Sequence, residues 1–265
     1  MKLKELSETL GLSQTTVSRA LNDYPEVSEV TRHRVKQAAA KGNYRPDKRA
    51  SGLATGKARA IGHVIPLATQ DDVFSPIFAE FIASASRTYS QFGYELMLSL
   101  AKSQDEESIY RDLAATRAVD GVILHSPLIA DPRLELLKNV GLPFVVHGRV
   151  LDGSNYNWVD MDNKGGFKHA TQLLIDLGHK RIALINGNIE MTFAWSRKAG
   201  FEEALKENGL TPCDELIASD DLTEPYGYQT AKTMLAGAQR PTAFLVSSYV
   251  AVSYTHLTLP TIYSV

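Results

Sequence analysis

The chain has 265 residues, of which 44% are hydrophobic and 22% are charged, with 18 glycines and 11 prolines. This composition can bury a core, and it excludes a fibre or a chain that is disordered throughout. The first residues lack the apolar core of a secretory signal, and no apolar stretch reaches the roughly 20 residues needed to cross a bilayer. We therefore expect a cytoplasmic protein with no membrane partner.

The net charge of −2 hides an asymmetry between two parts of the sequence. Residues 1–60 contain 12 Lys and Arg against 6 Asp and Glu, whereas residues 61–265 contain 16 against 24. A small basic module joined to a larger acidic body is expected when one end binds a polyanion and the other binds a small molecule or a protein. The uneven charge distribution, taken by itself, is explained equally well by a chance excess of solvated basic side chains.

Three short helices are predicted at the N-terminus. Leucines recur at helical spacing in residues 3–10, and Gly11 breaks that run before a second helix, which Ser13 can cap. A third helix is predicted over residues 29–41. Three helices in so short a segment indicate a helix-turn-helix domain, which we place at residues 1–46.

The second of these helices carries the candidate DNA contacts. In a helix-turn-helix motif the start of the second helix enters the major groove, so Gln14 and Thr15 are placed to contact base edges. The residues suited to phosphate contacts are Thr16, Ser18, Arg19 and Asn22. The alternative is an ordinary surface helix with polar side chains.

From residue 61 onward, short apolar runs alternate with amphipathic stretches. Strands are predicted at residues 61–67, 94–100, 121–124 and 143–147, with helices at 76–91, 106–117 and 133–138. A second series has strands at 158–161, 181–186, 216–218 and 243–246, with helices at 165–177, 196–208 and 226–236. Continuous apolar runs predict parallel strands covered by helices on both faces. We therefore expect an α/β core of two lobes, residues 61–157 and 158–251, with a cleft between them.

Ligands of open α/β folds bind beyond the carboxyl ends of the strands, so candidate contacts are residues that follow strands. His147 and Arg149 can donate to sugar hydroxyls, although either could instead be a residue of the hinge between lobes. The aromatic candidates for stacking on a sugar ring are Phe74, Phe78 and Trp195, and each is more often a core residue. His125 also follows a strand and is a weaker candidate.

Neither a catalytic site nor a cofactor site is indicated. Asp160 and Asp162 are better interpreted as a strand end and a helix cap than as a catalytic pair. No glycine-rich nucleotide-binding loop follows a strand. The single cysteine, Cys213, excludes a zinc site built from several thiolates, and His179 is a loop residue rather than a metal ligand. We predict a protein that is not an enzyme and that needs no metal or cofactor.

Several motifs resemble a known family. LGLSQTTVSRALN at residues 10–22 and NYRP at 43–46 closely resemble the headpiece of LacI/GalR-family transcriptional regulators. VDMDN at 159–163, LGHKRIALI at 177–185 and RKAGF at 197–201 resemble the effector-binding core of that family, which is similar to periplasmic sugar-binding proteins. The fold expected from the resemblance is an all-α headpiece followed by a two-lobed core with parallel sheets.

The resemblance implies a repressor that a sugar releases from DNA and that binds a pseudopalindromic operator as a homodimer. It implies a hinge at residues 47–60 that becomes helical only on DNA, with Leu53 as a wedge in the minor groove. It also places Arg197 where the family contacts effector hydroxyls, and Ser248 facing the ligand. The alternatives are a cytoplasmic sugar-binding or sugar-modifying protein without operator binding, or a regulator switched by a phosphoprotein.

The final residues depart from the family pattern. Residues 252–265 have no helical period and resemble the translation of an adapter used to prepare DNA sequencing libraries. We therefore expect a truncated second lobe with a non-native tail. An incomplete sheet would leave apolar strand faces uncovered, and we expect it to make the chain poorly stable. The alternative is a divergent strand over residues 254–259.

Overall fold

The computed structural model describes residues 1–44, 56–66, 76–102, 105–151, 153, 155–248 and 251. The chain divides into two compact units, Met1–Ala58 and Arg59–Val265. Three predictions fall outside the described residues: the wedge residue Leu53 with most of the hinge, the stacking candidate Phe74, and the proposed tail at 252–265.

The first unit contains the three predicted helices, α1 (Leu3–Leu10), α2 (Gln14–Leu21) and α3 (Glu29–Lys41). One apolar side of each helix faces a common core of Leu6, Leu10, Val17, Ala20, Val27, Val35 and Ala39. The small core fixes the angle between α1 and α2, and with it the direction in which the outer side of α2 faces.

Local hydrogen bonds explain where these helices begin and end. Gly11 has a φ of 60° and turns the chain after α1. The Ser13 side chain then caps α2 by accepting a hydrogen bond of 3.1 Å from the Thr16 amide. After α3, Gly42 has an ordinary φ of −84°, and the left-handed conformation falls on Asn43, with a φ of 47°.

The second unit begins with a parallel sheet of five strands. In chain order the elements are β1 (Ala60–Pro66), α4 (Pro76–Gln91), β2 (Glu95–Ala101), α5 (Glu106–Ala115), β3 (Gly121–His125), α6 (Pro132–Asn139), β4 (Phe144–His147) and β5 (Asn157–Val159). The strand order is β2-β1-β3-β4-β5, so β1 and β3 are neighbours at the point where the order reverses. The predicted parallel sheet is confirmed.

A second parallel sheet follows, with the described strand order β7-β6-β8. Its elements are α7 (Asn163–Asp176), β6 (Ile182–Asn186), α8 (Thr192–Glu207), a short 3-10 helix (Asp214–Leu216), β7 (Ile217–Ser219), α9 (Glu224–Ala236) and β8 (Ala243–Val246). Every residue of the central strand β6 is buried.

One strand lies in a different sheet from the one expected. The sequence pattern assigned the strand near Trp158 to the second lobe, but β5 pairs in parallel with β4, and His147 is opposite Val159. The assignment was wrong because a three-residue strand can pair with either sheet, and its partner is not visible in the local pattern. The chain therefore leaves the first sheet after Val159 and enters α7 directly.

The two lobes are hydrogen-bonded to each other where the loop after β3 meets the start of α8. The Ile129 amide donates to the Glu190 carbonyl at 2.8 Å, and the Thr192 amide donates to the Pro127 carbonyl at 3.0 Å. The Thr192 hydroxyl donates to the same Pro127 oxygen at 3.2 Å. These bonds join the loop after β3 to the start of α8.

Helices α7 and α8 pack closely because of Gly200. A Cβ atom at Gly200 would overlap the backbone carbonyl oxygen of Lys164, whereas one at Gly166 would meet nothing within 4 Å. The described helices include none that is both long enough and apolar enough to span a bilayer.

Candidate functional site

The outer side of α2 presents most of the predicted DNA contacts. Gln14 and Thr15, at the start of the helix, are exposed, and so are Arg19 and Asn22. Val17 and Ala20 are buried in the headpiece core. Val17 and Ala20 are three positions apart and therefore lie on the same side of the helix. The predicted base contacts lie outside this buried side and are accessible to solvent.

Hydrogen bonds within the helix engage some of the predicted phosphate contacts. The Thr16 and Ser13 hydroxyls are 2.8 Å apart, and the Asn22 side-chain amide donates to the Ser18 carbonyl at 2.9 Å. Thr16 and Ser18 are also half-buried. Arg19 is exposed and has no ion pair among the described residues, so it is the phosphate candidate with the fewest competing contacts.

Several basic side chains of α3 hold the headpiece together. Arg34 donates to the Leu10 carbonyl at the end of α1, at 2.9 Å. Arg32 donates to the carbonyls of Tyr24 and Val27. Lys36 forms an ion pair of 2.6 Å with Asp23 and lowers the pKa of that carboxyl through this hydrogen bond. The charge excess of the headpiece is therefore only partly available to a polyanion.

His147 and Arg149 lie at the carboxyl end of β4, as predicted. The ring of His147 stacks on Phe81 with centroids 4.8 Å apart. The guanidinium of exposed Arg149 lies 5.1 Å from the centre of the Trp158 ring, which is a cation–π contact. Sequence reasoning missed Trp158 as a partner of Arg149 because it assigned that residue to the other lobe.

Three histidines form a hydrogen-bonded row beneath α4. Nδ1 of His63 on β1 lies 2.8 Å from Nε2 of His125 on β3, and Nδ1 of His125 lies 3.2 Å from Nδ1 of His147. Nε2 of His63 lies 3.1 Å from the hydroxyl of Tyr89 on α4. We call Tyr89, His63, His125 and His147 the histidine relay.

Burial keeps the relay neutral. Burial, together with the neighbouring His147, lowers the pKa of His63 to about 4. Burial, the other two histidines and Arg133 lower the pKa of His125 to about 3. Burial also lowers the pKa of His147, against the opposing effect of the Asp160 carboxylate. All three imidazoles are therefore uncharged near pH 7.

The second lobe holds Arg197 in a fixed position on α8. Its Nε donates to the Asn163 side-chain oxygen at 2.8 Å, and its Nη1 donates to the Ser247 carbonyl at 2.9 Å. The guanidinium carbon lies 4.9 Å from the centre of the Phe193 ring and 5.1 Å from that of Phe167. These contacts pre-organise the guanidinium at the carboxyl end of the second sheet.

The other second-lobe candidates lie at the same end. Trp195 is exposed within the first turn of α8, which begins at Thr192 and thus earlier than the predicted residue 196. Ser248 is half-buried just after β8. Buried Asn186 donates to the Ala194 carbonyl and accepts from the Ser247 hydroxyl, so it ties the end of β6 to both segments.

A buried ion-pair network that sequence reasoning missed fixes the loop after β3. Arg133 pairs with Asp131 at 2.7 Å and with Glu106 at 3.1 Å. It also donates to the carbonyls of His125 and Ser126. The same loop makes the hydrogen bonds to the second lobe, so this network holds one side of the contact between the lobes.

Together, a helix-turn-helix headpiece and an α/β core with polar groups at the carboxyl ends of its strands define a DNA-binding regulator with a sensor domain. Residues 2–47 match the model of bacterial regulatory proteins of the lacI family. Residues 59–254 match the model of periplasmic binding proteins and sugar binding domains of the LacI family. The chain belongs to the LacI family of transcriptional regulators.

Curated relatives agree with this assignment. The HTH-type transcriptional regulator AglR of Rhizobium meliloti (strain 1021) is 46% identical over 252 residues, which cover 94% of this chain and 70% of that protein. RafR of Escherichia coli, also an HTH-type transcriptional regulator, is 36% identical over 250 residues, with 94% and 73% covered. These relatives are transcriptional regulators rather than enzymes.

Solved structures share the fold. A complex of the transcriptional regulator CelR with cellobiose superposes with a TM-score of 0.70 at 29% identity and covers 98% of this chain and 77% of that one. The lac repressor dimer bound to operator and the anti-inducer ONPF superposes with a TM-score of 0.81 at 26% identity, with 97% and 76% covered.

Proposed function

We propose that this chain is a cytoplasmic, sugar-responsive repressor that binds a pseudopalindromic operator as a homodimer and catalyses no reaction. The observation that carries the proposal is the exposed start of α2, where Gln14 and Thr15 stand on a helix held by a buried core. The relatives that are regulators, the CelR complex with cellobiose and the lac repressor dimer on its operator support it.

For the sugar site we propose the residues at the carboxyl ends of the two sheets. They are His147 and Arg149 in the first lobe, and Trp195, Arg197 and Ser248 in the second, while Phe74, which lies outside the described residues, is a candidate from the sequence alone. A guanidinium has several donors in one plane, which suits neighbouring hydroxyls of a sugar. Arg197 loses little further freedom on binding because protein groups already hold it.

The proposed mechanism is linkage between two binding sites. A sugar that binds both lobes stabilises one relative orientation of the lobes, and the hinge at residues 47–60 adopts its DNA-bound geometry in another. Sugar and operator then weaken each other's binding by the same factor. In this scheme Leu53 enters the minor groove only in the DNA-bound state.

The operator contacts are tested with Gln14→Ala. On a pseudopalindromic duplex selected from a random library by the wild-type chain, we expect a loss of about 1–3 kcal/mol in binding free energy, with little change on random DNA. The matched variant Arg19→Ala should weaken binding to both duplexes by the same factor. It should also reduce the slope of log K against the log of the salt concentration by about 1. Gel-shift titrations at several salt concentrations measure both quantities.

Two results would count against these roles. If Gln14→Ala weakens binding to every DNA sequence equally, then Gln14 does not contact base edges specifically. If the wild-type chain selects no sequence at low ionic strength, then the proposal of operator binding is wrong.

The sugar site is tested with Arg197→Ala. A panel of mono- and oligosaccharides that includes cellobiose is screened by thermal shift, and a sugar present at about 100 times its Kd should stabilise the wild-type chain by about 2.7 kcal/mol. We expect Arg197→Ala to lose most of this stabilisation, while exposed Arg181, whose Nε donates to the Arg240 carbonyl, serves as the control site through Arg181→Ala. Equal stabilisation in both variants would remove Arg197 from the site.

A further inference from the structure

The histidine relay joins the core of the first lobe to the candidate sugar site. It starts at the hydroxyl of Tyr89 on α4, and it ends at His147, the last residue of β4. His63 is fully buried and His125 nearly so, whereas His147 is half-buried. The row therefore runs from the interior to the edge of the sheet, where residues of the proposed sugar site lie.

The three rings do not converge on a common point. His125 uses Nε2 towards His63 and Nδ1 towards His147. One metal ion cannot replace both bonds, because the two nitrogens lie on different sides of the ring. No group of three metal-ligating side chains occurs among the described residues, and the contacts are those of a hydrogen-bonded row.

Counting donors shows that the rings depend on one another. A neutral imidazole has one N–H and one bare nitrogen, so each inner ring must accept at one nitrogen and donate from the other. If Tyr89 donates to Nε2 of His63, then His63 donates from Nδ1 to His125. His125 then donates from Nδ1 to Nδ1 of His147, which leaves the proton of His147 on Nε2.

The opposite direction is the only other fully bonded arrangement. His147 would then donate from Nδ1 to His125, and His125 would donate from Nε2 to His63. His63 would finally donate from Nε2 to the hydroxyl of Tyr89. Any mixture of the two directions places two N–H groups or two lone pairs against each other in a buried site, which costs free energy.

Both ends of the row favour the first direction. The Tyr89 hydroxyl lies 3.1 Å from Nε2 of His63, and if it accepted from that nitrogen, its own proton would have no protein acceptor among the described residues. At the other end the negative charge of Asp160 acts on His147. Nδ1 of His147 faces His125, so we assign the influence of this charge to Nε2, where a carboxylate favours an N–H.

We infer that Tyr89, His63 and His125 are positioning residues that hold His147 as the tautomer protonated on Nε2, and so make it a hydrogen-bond donor to an effector hydroxyl oxygen. The part of this inference that concerns the effector rests on the proposed function. The coupling between the rings does not, because it is a property of the chain without any sugar.

The test determines the tautomer of the histidine near one end of the relay after a substitution at the other end. The full chain is labelled with ¹⁵N-histidine, and long-range ¹H–¹⁵N spectra without sugar or DNA report which nitrogen of each ring carries the proton. Tyr89→Phe removes only a hydroxyl, and we expect it to increase the fraction of His147 protonated on Nδ1. Asp160→Asn should increase the fraction of His63 protonated on Nε2.

A matched control separates coupling from general perturbation. Tyr94→Phe removes a hydroxyl from the same lobe, where no contact with the three histidines is found among the described residues, and it should leave all three tautomers unchanged. A response of the remote ring to either end variant, absent in this control, supports the inference. If the remote ring is unchanged in both end variants, the relay is only a structural contact and the inference is wrong.

These spectra, taken together with the thermal-shift screen for sugars, distinguish this failure from failure of the proposed function. A coupled relay in a chain that binds no sugar would refute the sugar site but leave the coupling intact. Sugar binding by a chain whose rings do not respond to one another would refute the coupling but leave the proposed sugar site intact.

Discussion

Arg133→Leu is expected to destabilise the second unit by about 3–5 kcal/mol, the usual cost of removing one partner from a buried ion pair. The side chain of Arg133 is 12% exposed, and those of Asp131 and Glu106 are 0% and 14% exposed. Leucine would leave both carboxylates without their cation and would free the carbonyls of His125 and Ser126. Urea unfolding at pH 7 measures the loss.

The pH dependence of this loss provides a second check. Burial already raises the pKa of Glu106 against the opposing effect of Arg133, so in the variant this carboxyl can take up a proton as the pH falls. Proton uptake by the folded state stabilises it towards low pH. We therefore expect the difference between Arg133→Leu and the wild-type chain to shrink from pH 7 towards pH 5.

The control is Arg111→Leu on the neighbouring helix α5. Arg111 pairs with Glu107 at 2.6 Å, but both side chains are more than half exposed. Such pairs contribute about 0.5 kcal/mol or less. Equal losses for the two substitutions would show that the network around Arg133 is not buried in solution.

Gly200→Ala is expected to destabilise the second lobe by about 2–3 kcal/mol. The added methyl group would meet the backbone carbonyl of Lys164, so α7 and α8 must move apart. The higher helix propensity of alanine, about 1 kcal/mol, offsets only part of this cost.

Gly166→Ala on α7 is the matched control with the opposite sign. The methyl group would meet nothing within 4 Å, so the propensity gain of up to about 1 kcal/mol should appear as stabilisation. Thermal unfolding of both variants measures the difference. A stabilising Gly200→Ala would mean that the two helices are further apart than the structure has them.

Local patterns predicted most elements of the fold. The bounds of α4 and β8, Pro76–Gln91 and Ala243–Val246, agree with the prediction, because apolar runs and flanking prolines are local signals. The predicted start of α8 was wrong for a physical reason. Its first residue follows Met191, which makes no side-chain cap, and the Thr192 hydroxyl bonds to Pro127 instead.

The candidate sites were predictable only where a contact is local. The exposure of Gln14 and Thr15 follows from the period of α2. His63 lay unnoticed within an apolar strand because its partner, His125, is 62 residues away, and the register of the sheet brings the two together. The buried ion pair of Arg133 was not predicted, since its partner Glu106 lies 27 positions earlier.

The short crossing from β5 to α7 touches both walls of the proposed sugar site. Asp160, at its start, opposes the lowering of the pKa of His147 in the first lobe. Asn163, at its end, accepts a hydrogen bond from Arg197 in the second lobe. Asn163 also donates to the Asp160 side chain at 3.2 Å. A torsional change in these few peptide units would therefore displace a neighbour of each wall simultaneously, so the covalent connection itself can transmit mechanical strain from one half of the sensor to the other.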